Sequence, residues 1–152
     1  SEVDKSVSSI QTICEQMPRW LAQRETCLPS GYGVRLCPLG VTLGIMPWNF
    51  PVWQVIRFAI PSLVSGNTVL IKHAPNTFGV AQLLSEIFNQ VLPSGIYSNL
   101  RVSVTEVAKL IKDPRVRGVS LTGSMQAGAK VGALAGLHLK KCVLELGGSD
   151  AY

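Results

Sequence analysis

The period of the apolar positions changes several times along the chain. Over residues 2–25 they fall at Val3, Val7, Ile10, Ile13/Cys14, Met17 and Trp20/Leu21, the spacing of one helical face. Pro18 sits near the end of that segment, where a missing N–H predicts a kink or break. Pro29-Ser30-Gly31 predicts a loop, and Tyr32–Cys37 a short, half-exposed strand. From Val41 the alternation becomes regular. A strand over 41–46 is followed by a helix over about 53–65, stopped at Ser65-Gly66-Asn67. The β-branched run 68–72 predicts a second strand, and Thr77–Val91 a helix entered through Pro75-Asn76. Beyond the Pro93-Ser94-Gly95 turn come a strand over 97–103 and a short helix over Glu106–Lys112. A strand over Gly118–Thr122, a small-residue helix over Met125–Leu137 and a strand over Lys141–Leu146 complete the pattern.

Strands alternating with helices, near-continuously apolar and joined by short loops, predict a doubly wound, mainly parallel α/β sheet covered on both faces, with an N-terminal helix before it. Residues 1–31 read as helix and linker, and 32–152 as one dinucleotide-binding domain. Ligands of such sheets bind beyond the carboxyl ends of the strands. Those ends deliver Asn49 in the turn Pro47-Trp48-Asn49-Phe50-Pro51, Lys72, Thr122-Gly123-Ser124 at a helix start, and Glu145 before Gly147-Gly148. A carboxamide, an amine, a capped helix N-terminus and a carboxylate thus share one edge.

Each has a plainer reading. A lysine closing a strand is ordinarily a solvated charge, and Gly123-Ser124 is first an N-cap, though the same exposed amides can receive a phosphate. Gly123-x-x-x-x-Gly128-Ala129-Lys130 imitates a phosphate-binding loop, but its lysine is one residue late and no Ser/Thr follows. Gly128, Gly132 and Gly136 fall on one helical face and predict a smooth strip against the sheet. The fingerprint G-x-G-x-x-G follows no predicted strand. Glu145 interrupts Cys142-Val143-Leu144-Glu145-Leu146, expected to be buried, so desolvation should raise its pKa and suit it to general-base work. The competing reading is an ion pair with Lys140 or Lys141.

Composition narrows the classes. The 152 residues are 47% hydrophobic and only 15% charged, apolar enough to imply surface normally covered by more chain or a partner. The net charge of +5 is scattered. Its clusters, Lys112/Arg115/Arg117 and Lys140/Lys141, lack interleaved aromatics, which argues against nucleic-acid binding. Cys14, Cys27, Cys37 and Cys142 form no C-x-x-C pair, and with only His73 and His138 no zinc spacing can be built. No signal-like segment or membrane-length apolar run occurs, so a cytoplasmic protein with reduced thiols and no membrane partner is expected.

Four motifs, Ile45-Met46-Pro47-Trp48-Asn49-Phe50-Pro51, Gly66-Asn67-Thr68-Val69-x-x-Lys72, Leu121-Thr122-Gly123-Ser124-x-x-x-Gly128 and Leu144-Glu145-Leu146-Gly147-Gly148, resemble in order and spacing the aldehyde dehydrogenase superfamily. The likeness runs from about Tyr32 to the last residue. Leu70–Pro75 and Lys141–Asp150 resemble its bacterial succinate-semialdehyde dehydrogenase branch. The resemblance implies oxidation of an aldehyde, succinate semialdehyde in that branch, to the acid with NADP or NAD, through a cysteine thiolate and a thioester. It implies that Asn49 stabilises the oxyanion and Glu145 activates water. It also implies that Met46, Pro47, Trp48, Lys72, Ala74, Pro75, Gly123, Ser124, Leu146 and Gly147 bind the cofactor, and that the parent enzyme is a homo-oligomer.

Two departures follow. Where NAD-preferring members carry a glutamate three residues after the lysine, this chain has Pro75, so NADP is expected to be accepted at least as well as NAD. The family's nucleophilic cysteine lies beyond Leu-Glu-Leu-Gly-Gly, and none of the four cysteines has its context; Cys142 in mid-strand should be a buried filler. The chain is therefore expected to cover most of a cofactor-binding domain and to show no turnover alone. The alternatives are a non-catalytic dinucleotide-binding module and a coenzyme-A-acylating enzyme; Glu145 argues against the latter.

Overall fold

A computed structural model describes residues 1–22 and 35–149. Helix α1 spans Glu2–Ala22 and runs through Pro18. The elements that follow are β1 (Val41–Ile45), α2 (Trp53–Val64), β2 (Thr68–Lys72), a 3-10 turn (Pro75–Thr77), α3 (Phe78–Val91), β3 (Tyr97–Asn99), α4 (Val104–Lys112), β4 (Val116–Gly123), α5 (Met125–Leu137) and β5 (Lys141–Leu146). All strand pairs are parallel, in the order β3-β2-β1-β4-β5. The chain winds outward from β1 through β2 to β3, then returns to place β4 on β1's other side. This is the doubly wound sheet the alternation predicts, with its switch point between β1 and β4.

Two cores flank the sheet. On one face Val55, Ile56, Ala59 and Ile60 of α2 and Leu84 and Phe88 of α3 pack on Met46, Val69, Ile71 and Tyr97, with Ile10 and Ile13 of α1 against the outside. On the other, Val107 and Ile111 of α4 and Ala135 of α5 pack on Leu43, Val116 and Val119. Burying a branched aliphatic side chain contributes on the order of 2 kcal/mol, so these two layers carry the fold. Helix α2 ends where Gly66 takes a φ of +84°, and a Cβ there would sit 2.8 Å from Pro38 Cγ.

Three expectations change. Arg35–Cys37 is exposed coil, and the rest of that predicted strand lies outside the described residues. Both edges of β1 are already taken, which leaves no slot beside it, and Pro38 has no N–H to donate. β3 stops at Asn99 because the chain turns away to start α4 two residues earlier than expected. Ser103 and Glu106 form a reciprocal capping box there, a signal the sequence carries as S-x-x-E. β5 is an exposed edge strand, not a buried one. Among the described residues only β4 pairs with it, and α5 packs on it along the glycine strip: a Cβ on Gly128 would collide with the Leu146 side chain and one on Gly132 would meet Leu144 at 3.2 Å, while Gly136 meets nothing. Cys142 is consequently exposed, not a buried filler.

Gly44 in β1 lies so close to α2 that a Cβ would sit 2.7 Å from the Phe58 ring and 2.8 Å from Met46 Cε. Gly44→Ala should cost about 1–3 kcal/mol and lower the urea midpoint at unchanged m-value. His73 is 6% exposed, and burial, helped by the Lys72 charge, lowers its pKa from 6.5 to about 4. Between those values the unfolded chain binds the proton and the folded one does not. Stability should therefore fall as pH drops from 6.5 toward 4, and His73→Gln should flatten that slope in urea titrations at several pH values.

Candidate active site

The site begins where β1 ends. The Met46 N–H donates to Lys72 O at 2.9 Å, the last rung, and Pro47 supplies no donor for another. The turn that follows holds Phe50 at φ +52°, a left-handed conformation costly for a bulky residue and characteristic of sites that aim a side chain. Trp48 and Phe50 are themselves exposed. The anchoring comes from below: the Gln54 N–H donates to Phe50 O at 3.0 Å, and Glu2 of α1 accepts from the Val52 and Trp53 N–H groups at 3.2 and 3.1 Å. A carboxylate from another helix thus caps the positive end of α2. Lys5, one turn on, lies 4.1 Å from the Trp53 ring.

Asn49 faces a cavity of about 570 Å³ at the switch point. Pro47 and Trp48, Gln54 and Arg57 of α2, Thr122-Gly123-Ser124 at the end of β4, and Glu145, Leu146 and Gly147 also line it. The structure thus brings the carboxamide, the helix start and the carboxylate together, as the strand ends predict. Ser124 caps α5, its Oγ accepting from the Ala127 N–H at 3.2 Å. The Met125 and Gln126 amides, one residue into the helix, have no intrahelical acceptor and make the mouth an anion site. Ser124 and Ala127 also border a second cavity of about 280 Å³. Lys72 and Lys130 edge it, and Val104, Val107, Leu121 and Val131 wall it. Among the described residues no carboxylate lines it. Burial lowers the Lys72 pKa. The two cavities share Ile45, Leu121, Ser124 and Ala127 as lining and so adjoin at the α5 N-terminus.

Other predicted residues sit elsewhere. The Met46 side chain is core, so only its backbone borders the turn. Ala74 and Pro75 line a separate recess with His73, Phe78 and Arg101. Among the described residues no cysteine lines the Asn49 cavity, and burial pushes the Cys142 thiol above its ordinary value.

Glu145 requires a correction. It is exposed, and its pKa is lowered, not raised, by hydrogen bonding to Arg57 of α2. Neither neighbouring lysine is its partner: Lys140 reaches back to the Asp113 and Val116 carbonyls. Lys141 shares Glu145's face four residues away, about 13 Å along the strand. Arg57 escaped the sequence reading, though it lies inside the predicted α2 with three apolar neighbours, where a lone cation needs a partner. Gln54, one turn before it, is 8% exposed with its carboxamide oxygen unpartnered.

Comparison with known proteins places the chain in a family. The model of the aldehyde dehydrogenase family matches residues 1–152. The chain belongs to the aldehyde dehydrogenase family. It is 46% identical over 154 residues to the Escherichia coli K12 succinate semialdehyde dehydrogenase [NAD(P)+] Sad, covering all of this chain and 33% of that protein. It is 48% identical over 153 residues to a Deinococcus radiodurans succinate-semialdehyde dehydrogenase [NADP(+)], covering 99% and 32%. A structure of Gox0499, solved to study cofactor and substrate selection, superposes with a TM-score of 0.91 at 41% identity, over 98% of this chain and 33% of that one. Succinic semialdehyde dehydrogenase from Streptococcus pyogenes, solved with NADP+, gives 0.72 at 42%, over 74% and 25%. This family member therefore spans about a third of the length of its curated relatives.

The α2 cap gives this aldehyde dehydrogenase family site its first test. Glu2→Ala removes the acceptor of two helix-end amides and should destabilise the chain by about 1–2 kcal/mol. Urea unfolding reads the loss, and broadening of the Asn49 side-chain amide resonances reads the loosened turn.

Proposed function

We propose that residues 32–152 form the cofactor-binding part of an NADP-accepting aldehyde dehydrogenase whose substrate is a short aldehyde bearing a carboxylate, succinate semialdehyde being the best match. The observation that carries this is that the lysine-edged apolar cavity and the cavity of Asn49 and Glu145 adjoin at the α5 N-terminus, with Ser124 and Ala127 lining both. The residues fit a dinucleotide. Val104, Val107 and Val131 would face its adenine, and the α5 amides with Ser124 its pyrophosphate. Lys72 would meet the ribose, where the absence of any carboxylate tolerates a 2′-phosphate. Bound there, the cofactor supplies the hydride acceptor.

On this reading Trp48, Leu146 and Gly147 border the reacting end, and the Asn49 amide donates to the oxyanion created when a nucleophile adds to the aldehyde. Glu145 accepts a proton from the water that releases the acid. Among the described residues Arg57 is the one cation lining the cavity that holds both groups, which favours an aldehyde with a second, anionic end. The relatives named as succinate-semialdehyde dehydrogenases point the same way.

Titration of the chain with NADP+ and NAD+, followed by calorimetry and by tryptophan fluorescence, tests the reading. Saturable NADP+ binding at least as tight as NAD+ binding is expected. Lys72→Ala should weaken NADP+ by about tenfold, one charge-assisted contact, and NAD+ by less. Strict NAD+ selectivity, or binding of neither, overturns the proposal.

A further inference from the structure

The contact between Arg57 and Glu145 joins the two groups that the proposed reaction needs apart. Arg57 projects from the second turn of α2, and Glu145 from the carboxyl end of the edge strand β5. Both line the Asn49 cavity and the neighbouring groove of about 390 Å³ between α2 and the open face of β4 and β5. Among the described residues Arg57 is the cation lining the Asn49 cavity with Glu145, and Lys141, which also lines the groove, stands far down the strand. Among the described residues Arg57 pairs with no other carboxylate. The side chains are 30% and 48% exposed, so solvent and small solutes reach the pair. A carboxylate held on the Arg57 guanidinium occupies the place that an incoming anionic end would take.

We infer that Arg57 is a shared cation. In the empty cleft Glu145 sits on it, and a carboxylate-bearing ligand displaces Glu145, turning its carboxylate free toward Asn49. This rests on the reading of Glu145 as base and of the substrate as an aldehyde acid. It adds that the anionic end of the substrate itself releases the base. The clamp keeps the base off duty and poorly proton-accepting until the cleft is filled, and an aldehyde without a carboxylate leaves it closed. The structural requirements are met by the two side chains alone: a fork that binds carboxylates in pairs of hydrogen bonds, and an edge-strand glutamate with unoccupied space beside it. Arg57 acts here as a positioning and specificity residue; nothing requires it to touch the reacting carbon.

Carbon-detected NMR of the Glu145 side-chain carboxyl in the 152-residue chain tests this, with succinate as the anionic probe and succinamide as its uncharged counterpart. Succinate should shift the Glu145 titration midpoint upward, saturably, and succinamide should leave it in place. In Arg57→Gln the midpoint should already be raised, with no further response to succinate. Arg57→Lys should retain a smaller response, and the dispersed β4 amide resonances report that each variant is folded. An unchanged midpoint in Arg57→Gln, or no saturable response of Glu145 to succinate in the wild type, overturns the inference. NADP+ added to the same samples and read on the Gly123 and Ser124 amides separates the two proposals. Failure there with the exchange intact removes the cofactor reading alone. Cofactor binding with an immobile Glu145 removes the exchange alone.

Discussion

The parallel pairing of β1 with β4 is the constraint on which the rest of the structure depends. Parallel strands cannot be joined by a tight turn, so each pairing forces a crossover helix and leaves every carboxyl end on one edge. Because the chain lays β2 and β3 on one side of β1 and β4 on the other, α2 and α4 leave β1 and enter β4 on opposite faces. The gap between those departures is the cleft. Asn49 and Ser124 lie across it from one another because they are the first polar side chains beyond β1 and β4. No functional requirement needs to be invoked to explain their meeting; the winding produces it.

Precision within the cleft has a different origin. The winding only delivers Asn49 to the edge, whereas its aim depends on a left-handed Phe50 between two prolines. That strain, on the order of 1–2 kcal/mol, has to be over-determined by neighbours. The neighbours are few: one helical hydrogen bond to Phe50 O and the Glu2 carboxylate on the first amides of α2. Helix α1 therefore does more than cover the apolar flank of α2. By lending its first glutamate to another helix's positive end, it fixes where α2 begins, and hence where the turn carrying Asn49 must close.

The strand ends, the helices and the meeting of Asn49, Ser124 and Glu145 were legible because they follow from periodicity and from one topological rule. What was not legible depended on neighbours. The alternation that marks β5 as a strand says nothing of whether it lies mid-sheet or at the edge, so Glu145 and Cys142 read as buried when they are exposed. With burial misjudged, the direction of the Glu145 pKa followed it. Arg57 was hidden for a related reason: a charge inside an apolar helix is visible in sequence, but its partner lies 88 positions away. Met46, Ala74 and Pro75 lie just past the ends of β1 and β2, yet the Met46 side chain packs in the core and the 3-10 turn puts Ala74 and Pro75 in a recess apart from the cavity of Lys72 and Ser124. The S-x-x-E box at Ser103, by contrast, was local and could have placed the start of α4 from the letters alone.

Magnitude decides what kind of contact Arg57 and Glu145 make. A buried pair of this type would cost several kcal/mol to break and would act as a staple. This one is partly exposed, and exposed pairs contribute about 0–1 kcal/mol once side-chain entropy and screening are included. Such a pair is too weak to hold β5 in place, and pairing with β4 and the packing of α5 along the glycine strip already do so. Its effect is on direction: it selects one orientation of Glu145 among several of similar energy. A preference that small can be outweighed by a ligand carboxylate at modest concentration, because the ligand needs to match only the pair and not the fold. The exposure that makes the contact weak as architecture is therefore what makes it exchangeable.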